Sequence, residues 1–404
     1  MTILTVNTGS SSLKFAVYAA DDLANETALL TGTVQGLQSD APPVMSWRLG
    51  SGGDQKQRIA TNSDNPFKNA LSALQSLLQQ ELHGLHGLPG LGLQAVAHRV
   101  VHGGQAYRQA VEVDDIVLHN LSKLCSLAPL HQPHNLDGIR AFGAAFPGVP
   151  QIACFDTAFH SGIAPVEHLF ALPQAMAQQE GIRRYGFHGL SYQYVMGHLL
   201  QLTGRAHGRV VMAHLGNGAS LCAAVDGRSI ATTMGFSALD GLMMGTRSGT
   251  LDAGVLLYLM ERGWDHARLQ DLLYKQSGLL GVSGLSADMR QLRSSASPDA
   301  ALAISMFTHR VVREVGAMTA CLGGLDVLAF TGGIGEHDAQ LRLEVCNKLA
   351  FLGVKLDEVK NNSHAATGAM SLYAADSAVE LWMVPTDEGR VAAQAAARLL
   401  KKRN

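Results

Sequence analysis

Short apolar runs broken by glycine-rich turns alternate along this chain with stretches in which leucine, isoleucine and valine recur at helical spacing. Residues 3–6 (ILTV) read as a strand, residues 14–18 (KFAVY) as a second, and 1–34 as strand sequence throughout. Residues 35–65 are rich in Gly, Ser, Asp and Asn and predict a hairpin around GSGG at 50–53. Asn65-Pro66 starts a helix, asparagine as its cap and proline in the first helical position. Phe67, Leu71, Leu74, Leu78 and Leu82 give that helix one apolar face. A strand at 95–101 enters the turn His102-Gly103-Gly104. A helix near 116–125, a loop at 128–135, a helix at 139–146 and a strand at 151–155 ending in Asp156 follow. Beyond lie the loop YGFHG (185–189), a helix from Ser191, a glycine-rich segment at 235–249, and helices at 252–262 and 266–276. A long helix at 299–322 carries apolar Leu302, Met306, Val312 and Val315, and strands are predicted at 327–330 and 380–384. The last helix bears Lys401, Lys402 and Arg403 where cations suit the helix dipole, and is expected to return to the first domain.

One turn stands out. VNTGSSSLKF (6–15) joins two apolar strands through small hydroxyl residues and ends in a lysine. Glycine and serine let backbone approach a ligand, and their N–H and O–H groups, here Ser10 and Ser12, suit an anion. With Lys14 adding a mobile charge, the segment reads as a phosphate cradle, distinct from a Walker A loop, which ends in Gly-Lys-Ser/Thr and opens a helix. An ordinary hairpin with a solvated lysine is the alternative, but the device recurs: HLGNGAS (214–220) again joins two apolar runs. A third glycine-rich turn, TGGIGE (331–336), follows the run at 327–330. Two related halves, each opening with such a loop, predict a duplicated α/β fold with a nucleotide in the cleft between them.

Composition narrows the class. At 404 residues two domains are expected, the boundary falling just past Asp156. A net charge of −2 argues against a general nucleic-acid or anionic-membrane surface. Five cysteines without a CxxC pair predict reduced thiols and a cytoplasmic protein. No signal peptide is apparent, and no apolar run reaches the roughly 20 residues of a membrane helix.

Several polar residues sit where chemistry would use them. Arg99 lies at a strand end and Arg247 within MGTRSG (244–249); each could be a surface arginine, or a planar fork clamping carboxylate or phosphate. His131-Gln132-Pro133-His134 offers two imidazoles without the partners a zinc site needs. His188, flanked by Gly186 and Gly189, could stabilise charge on a transferring phosphoryl group. Asp156 ends a strand and Glu388 precedes the last helix. Glu388 is either a helix cap or a ligand to Mg²⁺, which on a nucleotide takes only one or two protein carboxylates.

Taken jointly, VNTGSSSLKF (6–15), HRVVHGG (98–104), APLHQP (128–133), FDTAFH (155–160), RRYGFHG (183–189), HLGNGAS (214–220), MGTRSG (244–249), DMR (288–290), TGGIGE (331–336) and VPTDE (384–388) make the whole chain resemble the acetate and propionate kinase family, of the acetate and sugar kinase/Hsp70/actin superfamily. The resemblance implies a duplicated actin-like (ribonuclease H-like) ATPase fold, with one domain at 1–157 plus 389–404 and the other at 158–388. It implies ATP + acetate ⇌ ADP + acetyl phosphate, Mg²⁺ as cofactor (Mn²⁺ able to substitute), and a homodimer. It places Asn7 and Glu388 near the metal and Lys14 near the ATP phosphates. Arg99 and Arg247 fall to the acyl substrate and the transferred phosphoryl group, with His188 as transition-state stabiliser and Asp156 beside them. His214, Leu215, Gly216, Asn217 and Gly218, then Asp288, Met289 and Arg290, then Gly333, Ile334, Gly335, Glu336 and His337 are expected around the nucleotide. Val101, Leu130, His131 and Phe187 are expected at the acyl substrate.

Four departures from the family pattern stand out: Leu190-Ser191-Tyr192 stands for Thr-Ser-His, Ala238 for proline, His337 for asparagine, and Asp387-Glu388-Gly389 for Asn-Glu-Glu. A carboxylate is ionised at neutral pH, so Asp156 is expected to position a metal, a water or an arginine rather than take a proton. Domain closure is expected to exclude water from the transfer. Val101 favours acetate and Ala238 relaxes the same wall, so propionate is expected as a second substrate. The alternatives are a propionate kinase and, from another class, an actin- or Hsp70-like ATPase, which needs neither an acyl pocket nor paired arginines.

Overall fold

A computed structural model describes residues 2–20, 28–39, 41–60, 65–86, 92–363 and 368–402. The side chain of Leu82, and Arg403, lie outside the described residues. The chain divides into two compact units, Met1–Ala158 with Asp387–Asn404, and Phe159–Thr386.

The first unit is built on an eight-stranded sheet of β1 (Thr2–Thr8), β2 (Ser12–Ala19), β3 (Leu30–Gln35), β4 (Val44–Leu49), β5 (Gln55–Arg58), β6 (Leu93–Val100), β7 (Val111–Glu112) and β8 (Gln151–Phe155). Their order is β5-β4-β3-β2-β1-β6-β8-β7. β1 and β2 pair antiparallel, whereas β1, β6 and β8 run parallel. The second unit holds β9 (Arg209–Leu215), β10 (Ala219–Val225), β11 (Arg228–Thr232), β12 (Val327–Thr331), β13 (Met370–Ser371) and β14 (Glu380–Met383), in the order β11-β10-β9-β12-β14-β13. Here β9 and β10 pair antiparallel and β9, β12 and β14 run parallel. Stripped of β4 and β5, the first sheet has the same order and the same strand directions as the second. The duplication expected from the two glycine turns is therefore a duplication of topology, consistent with the duplicated actin-like ATPase fold.

Alternation along β1 and β2 sends Leu4, Val6, Leu13, Phe15 and Val17 to one face, against Leu71, Leu74 and Leu78 of helix Pro66–His86 and Phe142 of helix Gln132–Ala145. Helix Glu388–Lys401 packs on β1 and β6 through Val391, Ala392, Ala393 and Ala396, small side chains that let helix and sheet approach closely. In the second unit, Tyr192, Val195, Met196 and Leu199 of helix Gly189–Leu202 cover Val210, Met212, Cys222 and Val327, and helix Pro298–Leu322 packs on β9 and β10.

Three local expectations need correction. Helix Gln132–Ala145 begins inside the segment read as the loop 128–135, because Pro133 sits in the first turn, where no N–H is needed. Helix Pro298–Leu322 buries Ala300, Ala303, Phe307, Val311 and Val315, whereas Leu302 and Met306 are 52% and 37% exposed. The turn at 331–336 is a short helix, Gly332–His337, entered through Gly332 at φ +77°.

Candidate active site

In the first unit the functional candidates gather at the carboxyl ends of the parallel strands, where ligands of α/β sheets bind. Asn7 of β1 lies opposite Lys14 of β2 in register, and Gly9 N–H closes the intervening turn on the Ser12 carbonyl at 2.9 Å. Ser10 and Lys14 are exposed and Ser12 is half-buried. Arg99, near the end of β6, is gripped by Asp156 just past β8: Nη2 donates to Oδ2 at 2.6 Å and Nε to Oδ1 at 3.0 Å. Glu388 Oε2 lies 3.3 Å from the same Nε. Burial disfavours the Arg99 charge, but the two carboxylates outweigh it and raise the guanidinium's proton affinity further. The grip engages the Nε/Nη2 edge and leaves Nη1 without a partner among the described residues. Asp156 thus holds an arginine, one of the three tasks open to it.

Glu388 is not the cap of its helix. Asp387 is, accepting from Arg390 N–H at 2.9 Å and from the Tyr18 hydroxyl at 2.7 Å. Glu388 and the Asn7 amide are hard oxygen donors, the type Mg²⁺ prefers. No cluster of three or more His, Cys, Asp or Glu fit to cage a metal occurs among the described residues. As two donors, Glu388 and Asn7 would fill only part of the octahedral shell of such an ion.

Val101 is buried; its N–H bonds Asn135 Oδ1 at 3.0 Å, and Asn135 Nδ2 donates to the Thr8 carbonyl at 2.8 Å, tying the end of β1 to the residue after β6. Gln132 accepts from His102 N–H at 3.1 Å and donates back to its carbonyl at 3.0 Å. Leu130 and His131 form the turn into this helix.

The second unit holds the remaining candidates. His188 takes left-handed backbone angles (φ 57°, ψ 22°), a conformation that for a non-glycine residue costs about 1–3 kcal/mol and must be held by its surroundings. Gly186 at φ +75° comes so close to the His160 ring that a Cβ would lie 2.6 Å from it. His160 Nε2 is 3.0 Å from the Phe187 carbonyl and Nδ1 2.8 Å from Ser229 Oγ. Burial lowers the His160 pKa to about 4, so the ring is neutral and donates from Nε2. Phe187 is fully buried beside it. His188 Nδ1 lies 2.9 Å from Ser220 Oγ, and its ring stacks on His214 at 4.2 Å. His214 Nδ1 in turn meets Ser191 Oγ at 2.8 Å.

Arg247 donates from Nη1 to the Ala238 carbonyl at 2.6 Å. A Cβ on Gly218 would meet Arg247 Nη2 at 2.9 Å and His188 Nε2 at 3.3 Å. Two nitrogen-bearing side chains therefore converge over one bare Cα, in the turn between β9 and β10. Beside that turn opens a cavity of about 830 Å³, lined by Gly216, Asn217, Asp288, Met289, Arg290, Gly333, Ile334 and His337 together with Ala287, Arg293, Asp338 and Ala339.

Sequence reasoning thus brought eight nucleotide candidates to one cavity. His214, Leu215, Gly218, Gly335 and Glu336 are not on its wall. Leu215 and Gly335 are buried, and the Glu336 carboxylate braces the loop by accepting from Gly332 N–H at 2.8 Å and Thr386 N–H at 3.2 Å. Arg293 was missed: it faces the cavity while bonded to Asp338 at 3.1 Å and Glu344 at 2.8 Å. Its three-residue spacing from Arg290 was the available signal. His160, Gln132 and Asn135 were missed as well, for they act through other residues, and Ser220 is read from the sequence only as part of the turn at 214–220.

Comparison with known proteins completes the picture. The sequence model of the Acetokinase family matches residues 2–394. An acetate kinase of Rhodopseudomonas palustris is 47% identical over 400 residues, covering 98% of each chain. The crystal structure of Porphyromonas gingivalis acetate kinase superimposes with a TM-score of 0.87 at 35% identity, covering 99% of both chains. That of a propionate kinase from Francisella tularensis does so with a TM-score of 0.88 at 35% identity, covering 98% of both.

Proposed function

Because this chain belongs to the acetokinase family, we propose how its residues divide the work of moving a phosphoryl group from ATP to acetate. The activity is that of a phosphotransferase with a carboxylate acceptor: ATP + acetate ⇌ ADP + acetyl phosphate. The observation that carries the assignment is the convergence of Arg247 and His188 over Gly218, in the turn whose neighbours Gly216 and Asn217 line the large cavity.

The nucleotide occupies that cavity, and Lys14 with Ser10 and Ser12 is assigned to the ATP phosphates. Acetate is already ionised at neutral pH, so its oxygen attacks the γ-phosphorus without a general base. Catalysis is then positioning and charge neutralisation. Arg99, locked by Asp156, offers its Nη1 edge to the acceptor or to the transferring group. Arg247 and His188 donate to the oxygens on which charge spreads. Asp156 never takes the proton in this scheme; a carboxylate paired with a guanidinium is a poor base. Bound Mg²⁺, or Mn²⁺ in its place, would neutralise phosphate charge, and Glu388 and Asn7 are the residues that would hold it, directly or through water. Val101, Leu130 and Phe187 are assigned to the acyl methyl group. One methylene in such a pocket is worth about 1–3 kcal/mol, so acetate is preferred and propionate remains a measurable second substrate.

Two broader assignments go with this reading. The chain works as a homodimer: helix Ala253–Glu261 buries none of its residues and leaves Leu257, Tyr258 and Met260 more than half exposed. It works in the cytoplasm, where ATP is available and its five free cysteines stay reduced. No helix among the described residues is long and apolar enough to cross a membrane.

The test is trapping of acetyl phosphate as the hydroxamate from ATP and acetate. Arg247→Ala and Arg99→Ala should each lower kcat/KM for acetate by at least ~10²-fold. Glu388→Ala should raise the Mg²⁺ concentration needed for half-maximal rate. ATP hydrolysis without hydroxamate would replace the kinase by an actin-like ATPase, and higher kcat/KM for propionate than acetate would reverse the acyl preference.

A further inference from the structure

Below His188 runs a buried chain of hydroxyl groups. Ser220 Oγ, on β10, lies 2.9 Å from His188 Nδ1 and 2.5 Å from the hydroxyl of Tyr192, one turn further along the helix that follows His188. Ser220 and Tyr192 are both fully buried. The Tyr192 oxygen also accepts from the His214 backbone N–H. Hydrogen-bond polarity along such a chain can be worked out, because a buried hydroxyl has one proton to give.

Among the described residues Tyr192 has one acceptor within reach of its O–H, the Ser220 oxygen. Burial raises the phenol's pKa well above its usual value, so that proton stays on. Ser220, having accepted from Tyr192, has His188 Nδ1 as its remaining partner and must give it its own proton. The neutral imidazole then carries its proton on Nε2, the nitrogen nearest the open face of Gly218. The reverse polarity, with Nδ1–H donating to Ser220, leaves the proton of either Ser220 or Tyr192 buried without an acceptor. Arg247 Nη2 shares the space over Gly218, and the His214 ring stacks on the imidazole.

We propose that Ser220, oriented by Tyr192, is a positioning residue that fixes His188 in the Nε2–H tautomer and so makes it a donor rather than an acceptor at the phosphoryl site. The proposal rests on the reading of His188 as a stabiliser of developing charge. It also gives the tyrosine at 192 a task within the site, since its ring fills the helix–sheet interface while its hydroxyl orders Ser220.

The experiment is nitrogen NMR on the full chain with labelled histidine, the His188 signals assigned by their loss in His188→Gln. In the unmutated protein Nδ1 should resonate as an unprotonated, hydrogen-bonded acceptor and Nε2 as a protonated nitrogen. A protonated Nδ1 overturns the proposal, and this measurement needs no variant to fold. Ser220→Ala should show exchange between two tautomers and a kcat lower by roughly 10- to 100-fold, with KM for ATP changing far less. Tyr192→Phe, which keeps the serine but frees it to rotate, should show a smaller loss in the same direction. Ser220→Thr, which keeps the hydroxyl, should restore the single tautomer. A Ser220→Ala protein with one Nε2–H tautomer and full kcat also overturns the proposal. Full kcat in His188→Gln is a separate result: it removes His188 from the chemistry and leaves the tautomer measurement standing.

Discussion

Gly218→Ala isolates the convergence of Arg247 and His188 from every other feature of the site. Gly218 is not among the glycines with positive φ, so its backbone accepts alanine. The added methyl would begin 2.9 Å from Arg247 Nη2 and 3.3 Å from His188 Nε2. Both distances fall below the roughly 3.5–4.0 Å at which nonbonded heavy atoms rest. The arginine end must retreat by more than half an ångström, on the order of the displacement that costs an enzyme up to ~10²-fold when a reacting geometry is lost. The imidazole is held at Nδ1 and by stacking on His214, so it yields less. Relief by a flexible guanidinium limits the folding cost to about 1 kcal/mol. The expected result is therefore a kcat reduced roughly 10- to 100-fold with little change in melting temperature. Initial-rate hydroxamate assays at saturating ATP and acetate, beside thermal unfolding, read both quantities. A folded Gly218→Ala enzyme with kcat within about 3-fold of the unmutated protein would mean that no transition-state charge sits over that Cα.

Gly333→Ala meets no atom within 4 Å yet lies on the cavity wall, so it should leave stability alone and raise KM for ATP about 10-fold; an unchanged KM would remove the nucleotide from the cavity. Asp326, bonded by Arg209 side-chain and backbone N–H groups, has its pKa lowered from 3.8 to about 2, so its stabilisation is full above pH 4 and is lost as pH falls through about 2. Asp326→Asn should cost about 1–2 kcal/mol in denaturant unfolding at pH 7, a gap that narrows between pH 4 and 2; a gap independent of pH would contradict the assignment. Leu257→Asp places a charge on a residue 64% exposed in a helix with no buried positions, and sedimentation should shift from dimer to monomer if that face is the subunit contact; an unshifted dimer puts the contact elsewhere.

What the sequence revealed most directly was local and periodic. The two glycine turns, the strands that flank them and the leucine face of the first helix are written in neighbouring residues. The strand-end positions of Asn7, Arg99 and Asp156 followed from the same patterns. The partnerships did not. Asp156 grips Arg99 across 57 residues, Ser220 meets His188 across 32, and Arg293 reaches Asp338 across 45, distances over which only the folded topology selects a partner. Where a local rule misled, a competing rule explains it. Pro133 read as loop because proline breaks helices, yet in a first turn it costs nothing. Leu302 and Met306 read as core because they are apolar at helical spacing, yet the face that packs on β9 and β10 runs through Ala303, Phe307, Val311 and Val315, and those two residues fall beside it. Glu388 read as cap or ligand, and the adjacent aspartate took the capping task.

The departures from the family pattern share a physical logic. At 389 a Cβ would lie 2.7 Å from the Tyr18 hydroxyl and 3.0 Å from Thr5 Oγ1, so glycine is what allows the first turn of helix Glu388–Lys401 to sit this close to β1 and β2. The same hydroxyl bonds Asp387, so Tyr18 occupies the room that the missing side chain leaves and fixes the cap beside Glu388. At 238 the group that holds Arg247 is a backbone carbonyl, which alanine supplies as well as proline does. At 192 the phenol hydroxyl meets Ser220 from within a packed core. His337 still lines the cavity. At 192 and 389 the substituted residue reaches the side chains proposed for catalysis through an intermediary, a serine or a capping aspartate, and at 238 it does so through its backbone carbonyl alone. Side chains proposed to meet charge directly (Arg99, Asp156, His188, Arg247, Glu388) are fixed by bonds whose geometry few substitutions reproduce. The supporting positions need only deliver a donor, an acceptor or space, and more than one residue type can do that.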